Sequence, residues 1–473
     1  MPQPHNLTEG SIGKRLLLFT LPILIGNILQ SLNATVNSIW IGHYLGEAAL
    51  TASSNAGIVL FLVLGAMFGA SMAATILIGQ YLGARRLHDA KRVIGTSTTF
   101  AASLSILMAI LGWVICEPLL RAMQTPPEAL HLAVAYMRVI FLALPFMVLY
   151  IFATSALRGA GDAKTPLYFL FLSVGLDIVL NPVFIFGIGP IPRLGIAGSA
   201  VATLLAQAFS LVVLISYLYS KKNPLCLHGD EIKLLKIDWS IVSTLIGKGV
   251  PMALQMMVLS LSMLLMMSLV NRFGIDTAAA YGAALQLWNY IQMPSFAIGM
   301  AVSSMAAHNI GAQKWHRLSS IARMGVIYQL ALTGTMVLIV DIFCRSALGW
   351  WLPPGSAAAV DIGVHMNNIV TWSFVFFGIS MVLFGIVRAN GAVVAPLIVL
   401  AISLLCIRPP LAMLLLDRLH ADAIWWSFPA SSFLAVLMAI AYYKWGKWRT
   451  LRMITPQVAD AQAAAAAAAS EVG

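Results

Sequence analysis

The sequence predicts an all-α polytopic membrane protein, with about twelve transmembrane helices in two six-helix bundles related by pseudo-two-fold symmetry. Three observations carry this reading. The chain of 473 residues is 60% hydrophobic and 10% charged, whereas a soluble globular chain carries about 25% charged residues. Apolar runs long enough to cross a bilayer as helices recur along its length. Landmarks of the first half return in the second at a near-constant offset: Gly83-Ala84 at Gly311-Ala312 (311 − 83 = 228), and Pro166 at Pro396 (396 − 166 = 230). No ten-residue segments of alternating polarity suggest a barrel.

Taken in order, the first helix spans about 16–41. It follows Lys14 and Arg15, is too long for a signal-peptide core and has no small-residue cleavage site. The second, 52–78, stops before the GQYLGARR run; the third, 94–116, follows Lys91 and Arg92. The fourth, 132–157, and fifth, 166–187, flank LRGAGDAKTP; the sixth is 196–219. Residues 221–240 form a charged linker containing Asp230, Glu231 and Asp238. The second half repeats the pattern at 241–269, 278–305, 320–343, 363–387, 393–416 and 423–444, with VRANGAVVAP standing where LRGAGDAKTP stood. This divides the chain into an N-terminal lobe 1–220, the linker 221–240, a C-terminal lobe 241–450 and a tail 451–473. Seven consecutive alanines, Ala463 to Ala469, mark that tail as disordered. Six helices separate matching points, an even number, so the halves share one orientation and an axis along the membrane normal.

The net charge of +11 reads as loop charge that orients the protein. Arg85, Arg86, Lys91, Arg92, Lys221, Lys222, Lys314, Arg317, Lys444 and Lys447 fall on one side with the N-terminal Lys14 and Arg15. Both termini are therefore expected in the cytoplasm. No basic, aromatic-interleaved patch suggests nucleic acid as a partner. Cys116, Cys226, Cys344 and Cys406 show no metal-site spacing, and no disulfide is expected. No Walker A sequence is present, so ATP does not drive the protein directly. No His, Asp, Glu or Ser constellation converges at one membrane face, so an enzyme is not expected; nor does a filter repeat suggest a channel.

One residue stands out. Asp177 lies near the middle of the fifth helix, where an ionisable group is costly and by default functional. Asn181 is one turn on, on the same face. In the first helix Asn27, Gln30, Asn33 and Asn37 share a sector of about 120°. If these faces meet, one buried carboxylate sits among amides. Burial disfavours the charged form of a carboxyl group, so the arrangement suits proton exchange better than sodium, although sodium could use the same oxygens. Asp341 lies close to the outer end of the ninth predicted helix. Pro22 lacks a donor and is a candidate hinge in the first helix. On the eighth helix Gln286, Asn289 and Met293 share a face, and Gln255 accompanies several methionines on the seventh; flexible methionine with a few amides suits varied flat molecules. Arg408 stands where the first half has Asn181, and a cation there needs a partner, a watery cavity or a route to the interface. It is a candidate for an anionic substrate.

Pro22, NSIWIGHYLG ending at Gly46, GQYLGARR, LRGAGDAKTP and LNPVFIFG at 180–187 together resemble the multidrug and toxic compound extrusion (MATE) transporters over nearly the whole chain. The resemblance implies secondary active efflux of organic, often cationic, compounds in exchange for protons or sodium, with no cofactor beyond that ion. It implies drugs or metabolites and membrane lipids as partners, a monomer, and a bacterial inner membrane as location. The family often has Asp fifteen residues after the helix 1 proline; here that place is Asn37. Tyr136 and Thr203 resemble the Tyr and Thr that complete a polar cluster around the helix 5 acid. The acids that one branch carries in helices 7 and 10 are absent here. The alternative is a flippase or exporter of a lipid-linked or metabolite substrate.

Overall fold

The computed structural model describes residues 7–187, 192–352 and 356–453; the predicted tail beyond 453 lies outside them. Among the described residues there are helices and turns but no strands. In chain order the helices are α1 (Ile12–Leu45), α2 (Glu47–Gly83), α3 (Leu87–Ala122), α4 (Pro127–Gly159), α5 (Lys164–Phe186), α6 (Ile196–Ser220), α7 (Trp239–Val270), α8 (Ile275–Gly311), α9 (His316–Trp351), α10 (Ala357–Val370), α11 (Trp372–Ala389), α12 (Val394–Ala401), α13 (Arg408–Leu419) and α14 (Asp422–Trp445). Among the described residues, eleven spans are long and apolar enough to cross a membrane, α10–α11 and α12–α13 each counting as one. α8 completes the twelve; its 37 residues suffice, but Gln286, Asn289 and Gln292 interrupt its apolar run.

Two predicted helices are not continuous. The one predicted at 363–387 is interrupted at Thr371, between α10 and α11. The one predicted at 393–416 contains a π-turn, Ile402–Ile407, just before Arg408. Pro409 and Pro410 explain the second break. Neither has an N–H to return to the preceding turn, and the ladder relaxes into a wider one. Ser262 of α7 donates to the Leu404 carbonyl at 3.0 Å within that turn.

The chain resolves into two compact units, residues 25–249 and residues 7–24 with 250–453. These units do not follow the lobe boundaries read from the sequence. The first turns of α1 group with the second half, and the first turns of α7 group with the first half. Both changeovers lie beside a proline, Pro22 in α1 and Pro251 in α7, at the repeat offset (251 − 22 = 229). α1 runs unbroken through Pro22. Within the second unit, Asn309, Lys314 and Arg317 donate to the carbonyls of Leu7, Thr8 and Gly10. Those bonds anchor the segment before α1 on α8 and α9. Trp448 and Met453 are buried there too, and Asn390 donates to the Trp448 carbonyl at 2.8 Å.

In the first unit the charged linker is docked rather than loose. A 3-10 turn, Gly229–Leu235, lies along the start of α3. Lys91 Nζ reaches both oxygens of Glu231 at 2.6 and 2.7 Å, Arg92 pairs with Asp238, and Thr99 donates to the Leu235 carbonyl at 2.7 Å. Gly95 has no Cβ to strike the Leu234 carbonyl. The hydrogen bond from Lys91 holds the Glu231 carboxyl below its ordinary range. A group whose value is depressed in the docked state contributes its stability above the ordinary value and loses it as pH falls through the docked one. We predict that the strap stays docked at neutral pH and loosens only in acid, below the ordinary glutamate range. Hydrogen exchange of residues 229–238, corrected for intrinsic rate, would show it; unchanged protection at about pH 3 would sink the idea.

Candidate functional site

The turn before α5 fixes how that helix enters the unit. Gly161 takes a positive φ of 84°, which a side chain would strain. Asp162 then accepts from the backbone N–H groups of Lys164 and Thr165, both at 3.0 Å, and caps the helix. α5 ends at Gly187 in the left-handed conformation. Between these fixed ends Asp177 is 3% exposed and Asn181 is fully buried.

The Asp177 carboxylate is surrounded by donors. Asn33 and Asn37, one turn apart on α1, each bring Nδ2 to Oδ2 at 2.8 Å. Thr203 of α6 donates to Oδ1 at 3.0 Å, and Asn181 Nδ2 stands 3.3 Å from the same oxygen. Asn181 Nδ2 also donates to Asn37 Oδ1 at 3.0 Å, which fixes that amide with its nitrogen toward Asp177. Tyr136 of α4 lies within electrostatic reach of Asp177, without a hydrogen bond to it. Asn27 and Gln30, predicted on the same face of α1, do not join the cluster. No lysine or arginine forms an ion pair with Asp177 among the described residues. Taking a carboxylate out of water costs several kcal/mol. A hydrogen bond to a charged group returns about 1.5–3 kcal/mol, so four donors offset that cost without a counter-charge. Two acceptors in the cluster, Asn33 Oδ1 and Asn181 Oδ1, are buried with no partner.

The other sequence candidates lie in the second unit. Gln286 and Asn289 are exposed and Met293 is half-buried, on one face of α8. Gln255 is not on such a face: it is 2% exposed and donates to the Val393 carbonyl. Its role is to join α7 to the start of α12. Arg408 is 5% exposed. Its Nε donates to Ser431 at 2.9 Å, its Nη2 stands 3.4 Å from Ser432, and its guanidinium lies 4.3 Å from the Phe428 ring centre. Met266 belongs to the buried core around Trp288 and Phe428.

The sequence underrated one polar cluster. Asp341, half-buried on α9, accepts from Asn367 Nδ2 at 2.9 Å and from Thr371 Oγ1 at 3.1 Å. Hydropathy sets this residue at a helix end, but α9 continues to Trp351. The signal is present in the i, i+4 spacing of Asn367 and Thr371. Among the described residues no group of His, Cys, Asp and Glu could hold a metal ion.

A family model described as MatE matches residues 22–183 and 251–414. A Bacillus subtilis protein named as a probable multidrug resistance protein, YoeA, is 34% identical over 451 residues, covering 94% of this chain and 97% of that one. An FAD transporter of Shewanella oneidensis is 25% identical, over 73% of this chain and 75% of its own. Among solved structures, a transporter of the MOP superfamily from Pyrococcus furiosus superposes with a TM-score of 0.86 at 20% identity, covering 95% of this chain and 98% of that one.

Proposed function

This chain belongs to the multidrug and toxic compound extrusion (MATE) family of transporters, and from that premise we propose that it is an antiporter that exports organic, often cationic, compounds against entering protons, with Asp177 as the proton carrier. The observation that carries the reading is the Asp177 cluster: one buried carboxylate, four donors and no counter-cation. The donors stabilise the ionised form. A proton arriving on Oδ2 turns an acceptor into a donor and displaces Asn33 or Asn37. Rotation of the Asn33 amide then presents its unpartnered Oδ1 to the new O–H. The cluster thus has two self-consistent hydrogen-bond patterns, one for each protonation state, and each can favour a different access state.

Sodium is the second reading. The same two unpartnered oxygens, Asn33 Oδ1 and Asn181 Oδ1, are the ligand type a hard cation takes. We place the protein in the inner membrane of a bacterium with both termini cytoplasmic, on the Lys/Arg asymmetry of its loops. Everted vesicles then expose the uptake face. Imposing proton and sodium gradients separately should give uphill accumulation of a cationic dye with the proton gradient alone. Accumulation only with sodium would overturn the proton assignment.

Gln286, Asn289 and Met293 are the proposed substrate contacts, with Arg408 and the Pro22 hinge as further candidates. Gln255 is committed to the Val393 carbonyl and is not proposed as a contact. Changing Gln286 and Asn289 together to Leu should alter the relative export of several dyes while expression is unchanged, because two exposed amides vanish from one face. An unaltered profile would count against the assignment. Export of a metabolite or lipid-linked precursor is the alternative substrate class, favoured by the name of the Shewanella relative; transport of a flavin nucleotide by the same vesicles would select it.

A further inference from the structure

The second unit repeats the chemistry of the Asp177 cluster at a place the internal repeat does not dictate. In the first unit, two side chains one turn apart on α1, Asn33 and Asn37, clamp an acid on another helix. In the second, two side chains four residues apart, Asn367 and Thr371, clamp Asp341 on α9. Shifted by the repeat offset, Asp341 falls on Trp113 (341 − 228 = 113), and in the register that sets Arg408 against Asn181 (408 − 181 = 227) Asp177 falls on Leu404 (177 + 227 = 404). The two clamps are therefore not relics of one ancestral site.

The clamp on Asp341 is oriented by its surroundings. Trp288 Nε1 of α8 donates to Asn367 Oδ1 at 3.1 Å, so the amide must turn its Nδ2 toward Asp341. Thr371 sits at the interruption between α10 and α11, and its hydroxyl stands 2.9 Å from the Asn367 carbonyl as well as 3.1 Å from Asp341. It therefore has an alternative acceptor when the carboxylate is neutralised. Asn367 is fully buried, whereas Asp341 is only partly covered, which leaves the carboxylate a route to water. Neighbouring charges do not neutralise it. Arg345, one turn on, pairs with Asp361, and His365 of α10 pairs with Asp422. Cys344 is in electrostatic reach on α9 itself. α8 contributes Tyr281, packed edge-on against Trp288, and the only charged residue of α11 is Arg388, at its far end.

We propose that Asp341, held by Asn367 and Thr371, is a second proton-binding site, so that one transport cycle exchanges two protons. A proton fits this clamp better than a metal cation. Asn367 presents its N–H and not its oxygen, leaving only the carboxylate and one hydroxyl as ligands. The inference rests on the proton-antiport reading above and extends it to the second unit.

The experiment is a stoichiometry measurement on the full chain in proteoliposomes. A cationic dye gradient is balanced against a range of proton gradients, and the null point gives protons per dye. Wild type should give two, and Asp341→Asn and Asp177→Asn one each. An unchanged ratio in Asp341→Asn would overturn the second site. A ratio lowered by Asp341→Asn but not by Asp177→Asn would remove Asp177 as carrier and leave Asp341 standing. Proton release on dye binding to the detergent-solubilised protein decides the matter should Asp341→Asn not reconstitute. Asn367→Leu should then shift the pH at which one of two protons is released and spare the other. Release of a single proton by wild type would reject the proposal.

Discussion

Asp177→Asn should sharply lower the accumulation ratio of a cationic dye in everted vesicles, because it leaves only the proton at Asp341 to drive the exchange and a carrier accumulates substrate only through the ions it exchanges. The substitution preserves shape. The new amide oxygen can still accept from Asn33 and Asn37, both now at 2.8 Å. What it loses is titration, together with one acceptor for Thr203 or Asn181, which donate from the other side. A neutral residue also escapes the cost of burying a charge, so folding should be retained and thermal stability should hold or rise. Downhill dye exchange is expected to survive. That separates loss of coupling from loss of protein. Full uphill export by the variant would place coupling elsewhere, with Asp341 the next carrier to test.

Much of this cluster is legible in the amino-acid sequence alone. Asp177 and Asn181 share a face because four residues are close to one helical turn, and an acid at mid-span draws attention by its cost. Periodicity gives the face of α1 but not the depth. Asn27 and Gln30 point the right way. Yet Asn27 lies six residues before Asn33, about 9 Å along the axis at the helical rise, and so misses the carboxylate. Asp341 is underrated for a related reason. Hydropathy ends its helix near residue 343, whereas α9 runs to Trp351, about 12 Å further. The Asn367 amide of α10 and the Thr371 hydroxyl at the interruption between α10 and α11 then close on it. Gln255 shows the opposite error: an amide among methionines suggests a substrate contact, but its partner is a backbone carbonyl on another helix. A single-helix pattern cannot show a partner that distant in sequence. The π-turn before Arg408, by contrast, has a local cause in Pro409-Pro410, a pair that stands in plain view in the chain.

The reach of Thr203 to Asp177 depends on a glycine one and a half turns earlier. Gly198 lets α6 lie directly on the backbone of α5. A Cβ there would meet the Phe184 carbonyl group, with its carbon at 2.5 Å and the Ile185 nitrogen at 2.8 Å. These are main-chain atoms of a packed helix and cannot swing aside as a side chain would. Gly198→Ala must therefore push α6 outward or bend it. Overpacking of this kind costs about 1–3 kcal/mol, more than the roughly 0.5–1 kcal/mol that alanine regains over glycine inside a helix. The displaced helix would carry Thr203 away from Oδ1, now 3.0 Å distant. The variant is expected to unfold at lower temperature than wild type and to lose most of its proton-driven export. Thr203→Val is the control. It removes the hydroxyl without moving the helix, and should impair export with little change in melting temperature. Equal stability of Gly198→Ala and wild type would show that α6 gives way without cost, and that the close approach of the two helices is not what positions Thr203.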